Sequence, residues 1–210
     1  MKKYMIIIII LFLCFCYVIN VSAKKSYTVV IDPGHGGVDP GTVTYGIKEK
    51  DINLAISIYL ADLLKNKDKV LMTRTDDYDL GKPNATYRKK SDFDNRILYI
   101  NNSGADFYIS IHQNHLNDSK YYGPQVFYTE SNKQYAEVMQ TELNKLNNTN
   151  RKIKPIPKST YMYRKLKIPG LLIECGFMSN DMERNNLASY KYQKKIAEAI
   201  YNGLIKIQNI

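Results

Sequence analysis

Three short apolar runs in this chain each lead into a group that can bind a metal or move a proton, and no other feature constrains the fold as tightly. Tyr27 to Ile31 runs into the turn Asp32-Pro33-Gly34-His35-Gly36-Gly37, Ala105 to Ile111 is closed by His112, and Leu171 to Ile173 is closed by Glu174. Glu49 follows His35 by fourteen residues, where a helical apolar pattern begins. The glycines let the backbone bend sharply at a strand end and present His35 at a sheet edge. Open α/β sheets place their active sites at such strand ends.

The rest of the chain alternates in the same way, which predicts one layered α/β domain. Lys50 to Lys65 carries Ile52, Ala55, Ile56, Tyr59, Leu60, Leu63 and Leu64 at helical spacing. Lys69 to Thr73 reads as a strand and Tyr78 to Lys90 as a surface loop. Asp92 to Asn102 reads as a helix with Phe93, Ile97, Leu98 and Ile100 turned inward, stopped by Gly104. Gln125 to Thr129 is a further strand, Lys133 to Leu146 is amphipathic, and Tyr190 to Ile207 is a closing helix. Asn147 to Tyr163, rich in Asn, Lys and Pro, has no readable period.

Residues 1–23 stand apart. Lys2 and Lys3 precede fifteen apolar residues, Met5 to Ile19, and then Val21-Ser22-Ala23, which is the pattern of a secretory signal. The apolar run is shorter than the ~20 residues of a spanning helix, so a retained membrane anchor is the lesser alternative and the only route to membrane contact. Residues 24–210 then form the one domain that remains and work outside the cytoplasm. That segment of 187 residues holds 28 basic and 20 acidic side chains, because the signal carries two lysines and no acid. The net +8 suits an anionic wall polymer, and secretion disfavours nucleic acid. Cys14 and Cys16 lie in the signal, leaving Cys175 alone, so no internal disulfide staples the domain and Cys175 reads as a packed side chain.

Two histidines and a carboxylate with a fourth position open to water make a catalytic zinc site, and a further carboxylate can then shuttle the proton. Taken singly, each residue has an ordinary structural role open to it; Glu49 could simply complement a helix dipole. The stretches VVIDPGHGGVDPG (29–41), GIKEKDINLAI (46–56), VLMTRTDD (70–77), NRILYINNSGADFYISIHQN (95–114) and PGLLIECGFMSN (169–180) decide between them. With them the chain resembles the secreted zinc-dependent N-acetylmuramoyl-L-alanine amidases with an amidase-3-type domain, in order and over nearly the whole of residues 24–210. The resemblance implies a single three-layer α/β domain, a mixed central sheet flanked by helices with the zinc site at the strand ends. It implies one Zn2+ held by His35, Glu49 and His112, with Glu174 as the catalytic group. The bond cut would join the lactyl group of N-acetylmuramic acid to L-alanine, with peptidoglycan as substrate.

Neighbouring positions carry lesser expectations. Asn114 matches a family position and could bind substrate or orient its loop. Arg96 also matches and reads as a brace on a carboxylate, Asp32 as a residue that orients the turn. His115 departs from the family's usual small residue and reads as a surface histidine or a substrate neighbour. The 61 residues between His112 and Glu174 leave little room for a long inserted blocking helix. The short architecture looks most like the germination-specific amidases, which prepare spore cortex for muramic-δ-lactam formation, and implies an accessory or activating protein. Two other readings stay open: a zinc peptidase acting on stem peptides, and a non-catalytic wall-binding protein on the same scaffold.

Overall fold

The computed structural model describes residues 26–210, so the secretory signal expected over residues 1–23 lies outside the described residues. Six strands form one sheet, in the spatial order Lys69–Met72, Thr28–Pro33, Phe107–Asn114, Gly170–Phe177, Gln125–Tyr128, Lys154–Pro155. These are β1 (Thr28–Pro33), β4 (Lys69–Met72), β5 (Phe107–Asn114), β6 (Gln125–Tyr128), β7 (Lys154–Pro155) and β8 (Gly170–Phe177); β2 (Val43–Thr44) and β3 (Ile47–Lys48) make a separate hairpin. β4, β1, β5 and β8 run parallel, and β6 joins antiparallel to β8, so the sheet is mixed as expected. Among the described residues no helix is long and apolar enough to cross a membrane.

Strand alternation sorts the side chains into two layers. Val29 and Ile31, Phe107, Ile109 and Ile111, and Leu171, Ile173 and Cys175 pack beneath α1 (Glu49–Leu64), α3 (Lys133–Asn144) and α5 (Tyr190–Ile207). Val30, Tyr108 and Leu172 face the other way, against α2 (Arg88–Asn102) and the segment around Met162 and Tyr163. Asp32, Ser110, His112 and Glu174 continue this second set by the same period of two, so one face of the sheet gathers the polar groups. Cys175 is fully buried in the first layer, which fits packing.

Several expected boundaries shift. His112 and Glu174 do not close their strands: β5 continues to Asn114 and β8 to Phe177, and the two extensions pair across a register irregularity between His112 and Asn114. α2 begins at Arg88 rather than Asp92, because Arg88-Lys89-Lys90-Ser91 holds no apolar residue for a periodicity to register. Leu98, expected inside, is 58 % exposed. Its neighbour two positions back is the buried Arg96, and residues two apart on a helix point to opposite sides. Leu63 likewise stays at the surface, while Asn53 and Ser57 take inward places on α1. The segment 147–163 contributes β7, and a short helix, α4 (Asp181–Leu187), follows β8 where no helix was expected.

Candidate metal centre and active site

The turn after β1 is strained and heavily braced. His35 sits at φ 62°, followed by Gly36 at 132° and Gly37 at 55°. A non-glycine residue in that region costs of order 1–3 kcal/mol and persists only where its surroundings hold it. They do so through the backbone oxygens: Arg74 Nε and Arg96 Nη1 donate to Pro33 O at 3.0 and 2.9 Å, Arg74 Nη2 and Asn53 Nδ2 donate to Gly34 O at 3.0 and 3.1 Å, and Arg96 Nη2 donates to His35 O at 2.6 Å. Gly34 itself is dictated by close approach, since a Cβ there would overlap the His112 imidazole.

Arg96 is therefore a brace, as expected, and its counter-ions are Asp32 at 2.6 Å and Asp92 at 2.9 Å. Burial opposes the charge on Asp32, yet Arg96, the Thr73 hydroxyl and the Ser110 hydroxyl together hold it below the usual carboxylate range. Burial likewise opposes the Arg96 cation, but its two aspartates hold the proton on. Because Asp32 can only accept, Ser110 Oγ donates to it at 2.8 Å, and Tyr163 OH donates in turn to Ser110 Oγ at 3.0 Å.

Above this network His35, Glu49 and His112 converge. Glu49 Oε1 lies 3.2 Å from His35 Nε2 and 3.0 Å from His112 Nδ1, and the three donor atoms lie within 4.8 Å of one another. Glu49 opens α1, and its carboxylate also accepts from Thr42 N at 2.9 Å and Gln113 N at 3.1 Å. Burial would raise its pKa; hydrogen bonds and charge from His112 and His35 outweigh that and hold it ionised. His35 Nδ1 pairs with Asp39 Oδ2 at 3.0 Å, which turns Nε2 toward Glu49. Burial disfavours the imidazolium, but Asp39 and Glu49 overcome it and push the His35 pKa to about 9. Positive charge is thus wanted at this point. Two imidazole nitrogens and one carboxylate oxygen, oriented by further hydrogen bonds, are the donor set that zinc takes, so the residues fit the metal the resemblance implies.

Glu174 is treated differently. It pairs in register with His112 across β5 and β8 and is half-buried. Its Oε2 is buried and has no hydrogen-bond partner, and burial, reinforced by the Glu49 charge, raises its pKa to about 8. A carboxyl whose pKa lies near the working pH can take a proton and return it.

Two openings meet at these groups. One is a cavity of about 450 Å³ on the α2 side of the sheet, floored by Leu172, Phe127 and Glu174 and walled by Phe93, Pro157 and Tyr161. The other, about 410 Å³ and more open, is rimmed by Gly41, Thr42, Lys89 and His115. Asn114 borders both, with His112 and Glu174, whereas His115 is exposed at the rim. Asp39, Arg74, Asn53 and Tyr163 were not singled out as functional neighbours from the sequence. For Asp39 a signal existed, an acid four residues after His35 in the same turn; for Tyr163 there was none.

A mixed α/β sheet with this cluster beside a proton-trading carboxyl has the make-up of a hydrolase, and comparison fixes the family. The model of the amidase-3 family of N-acetylmuramoyl-L-alanine amidases matches residues 29–206, and the chain belongs to that family. It is an N-acetylmuramoyl-L-alanine amidase of peptidoglycan. The germination-specific N-acetylmuramoyl-L-alanine amidase of Bacillus subtilis is 40% identical over 186 residues, covering 85% of this chain and 78% of the relative. The CwlD amidase of Clostridioides difficile, solved in complex with the GerS lipoprotein, superposes with a TM-score of 0.81 at 40% identity over 86% of this chain and 98% of that one. The amidase AmiC2 of Nostoc punctiforme gives 0.78 at 30% identity, covering 90% and 100%.

Proposed function

We propose that this chain is a zinc amidase that strips stem peptides from muramic acid in the spore cortex, leaving bare muramic acid for δ-lactam formation. The observation that carries the chemistry is the meeting of His35, Glu49 and His112 beside a carboxyl, Glu174, whose pKa is raised. His35, Glu49 and His112 would hold the metal, and zinc bound there would supply the Lewis acid that polarises the lactyl carbonyl and makes water a better nucleophile. Glu174 takes the proton of the attacking water as the water oxygen bonds to the carbonyl carbon. It then gives that proton to the L-alanine nitrogen as the carbon–nitrogen bond breaks. Asp39 keeps the His35 proton on Nδ1, and Asn114 borders the substrate. The cortex assignment rests on the 40% identity to the germination-specific relative. The lipoprotein complex of the C. difficile neighbour supports an accessory protein for this chain also, acting outside the cytoplasm.

Digestion of purified cortex and vegetative peptidoglycan by residues 24–210, beside Glu174→Gln, tests this reading. Mass spectrometry should find peptides that begin with a free L-alanine amine, released by the wild type only and faster from cortex. New amino termini further along the stem would mean a peptidase instead, and equal rates on the two walls would remove the cortex assignment.

A further inference from the structure

The two openings are unequal, and the substrate has two unequal arms. A glycan strand continues past the muramic acid on both sides, which suits the more open rim at Thr42 and His115 and leaves the less open cavity to the stem peptide. Two basic side chains border that cavity, Arg96 and Lys154. Arg96 is neutralised by Asp32 and Asp92. Among the described residues Lys154 has no acidic partner.

Lys154 is also held in place. It lies on β7 in register with Phe127 of β6, which is in register with Leu172 of β8, two residues before Glu174. Gln125 Nε2 donates to Lys152 O at 2.7 Å and Ile156 N donates to Tyr128 O at 2.8 Å, so the backbone is pinned two residues to either side. Standard strand spacing and rise put the Lys154 and Glu174 Cα atoms about 12 Å apart. The flexible four-carbon stem then brings the ammonium within the ~7 Å span of a dipeptide from the scissile bond.

We propose that Lys154 reads the residue after L-alanine, binding a free α-carboxylate there and so selecting acidic over amidated stem peptides. In peptidoglycan that residue is a glutamate joined through its side-chain carboxyl, which leaves its α-carboxylate free unless it is amidated. This rests on the amidase activity and the placing of the reacting groups given above. The carboxylate is remote from the bond cut and is held alike in ground and transition states, so the preference lies in KM and not in kcat.

The test uses two muramoyl tripeptides that differ only in that group, carboxylate or primary amide. Wild type should favour the acid by about two- to fivefold in kcat/KM, the range of an exposed ion pair. Lys154→Ala should bring the ratio to about one, Lys154→Arg should keep it, and Lys154→Glu should invert it. Each ratio is taken within one variant, so a loss of folded protein cancels. A wild type indifferent to the group, or a Lys154→Ala that keeps the preference, would overturn the assignment and leave the amidase standing. Cleavage of neither compound would overturn the activity, and this assignment with it.

Discussion

Glu49 and Glu174 share one cleft, and the chain gives them opposite surroundings. Glu49, at the start of α1, is wrapped by two backbone amides and two imidazoles and is held ionised. Glu174, on β8, has an oxygen with no partner and a pKa raised to about 8. The difference supports the division of work proposed above: a carboxylate fixed as an anion suits holding a cation, and one left undersolvated suits trading protons. It also explains why the bracing is concentrated under one side of the cleft. The turn bearing His35 is strained and needs Arg74, Arg96 and Asn53 on its carbonyls, whereas Glu174 is carried by β8 itself, at the last regular pair with β5 before their register shifts.

The sharpest way to break this comparison is to remove each charge without removing the shape. Glu174→Gln should cut turnover by about 10²–10⁴-fold, the usual worth of a positioned acid–base group, with kinetics on a muramoyl peptide as the readout. Retained turnover would mean that Glu174 is not the proton carrier. Next in size is the brace: Asp32→Asn leaves Arg96 buried without one of its counter-ions and should cost about 3–5 kcal/mol of stability in urea unfolding. A loss below 1 kcal/mol would show that the turn does not depend on this pair. Asp39→Asn should weaken zinc by roughly 10–100-fold through loss of His35 orientation, measured by competition with a chelator. An unchanged affinity would make Asp39 incidental.

The smallest effect concerns pH. Glu174 has its ordinary pKa of 4.5 unfolded and a raised one folded. Between the two values the unfolded chain has lost a proton that the native chain keeps, so stability falls as pH rises from about 5 toward 8. Metal-free Glu174→Gln should lack this slope and be about 1–2 kcal/mol more stable than wild type near pH 8, a value discounted for the solvent that the half-buried carboxyl still meets. Parallel stability–pH curves for the two proteins would show that the Glu174 pKa is not raised.

Much of this was legible in the residues, for identifiable reasons. The strands showed because both faces of the sheet are covered, so Val29 to Ile31 and Leu171 to Ile173 read as continuous apolar runs. His35, His112 and Glu174, which the fold brings together, showed because they close or follow those runs. Helix edges were less legible: Arg88 to Ser91 is helical yet has no apolar face, and Leu98 looks like core while Arg96 takes the inner place. α4 escaped because seven residues are too few for a period; Asn180 caps it, its Oδ1 accepting from Glu183 N at 3.0 Å. Lys154 and Tyr163 were invisible, since pairing with Phe127 and hydrogen bonding to Ser110 are long-range events in a segment without pattern.

The division between the two carboxylates is tested most directly by titrating zinc into metal-free Glu49→Gln and Glu174→Gln by calorimetry, with turnover of each measured at saturation. Glu174→Gln should bind one equivalent as tightly as wild type and turn over at no more than about one hundredth of its rate. Glu49→Gln should bind it at least tenfold more weakly. Loss of zinc from Glu174→Gln, or full affinity in Glu49→Gln, would contradict the account.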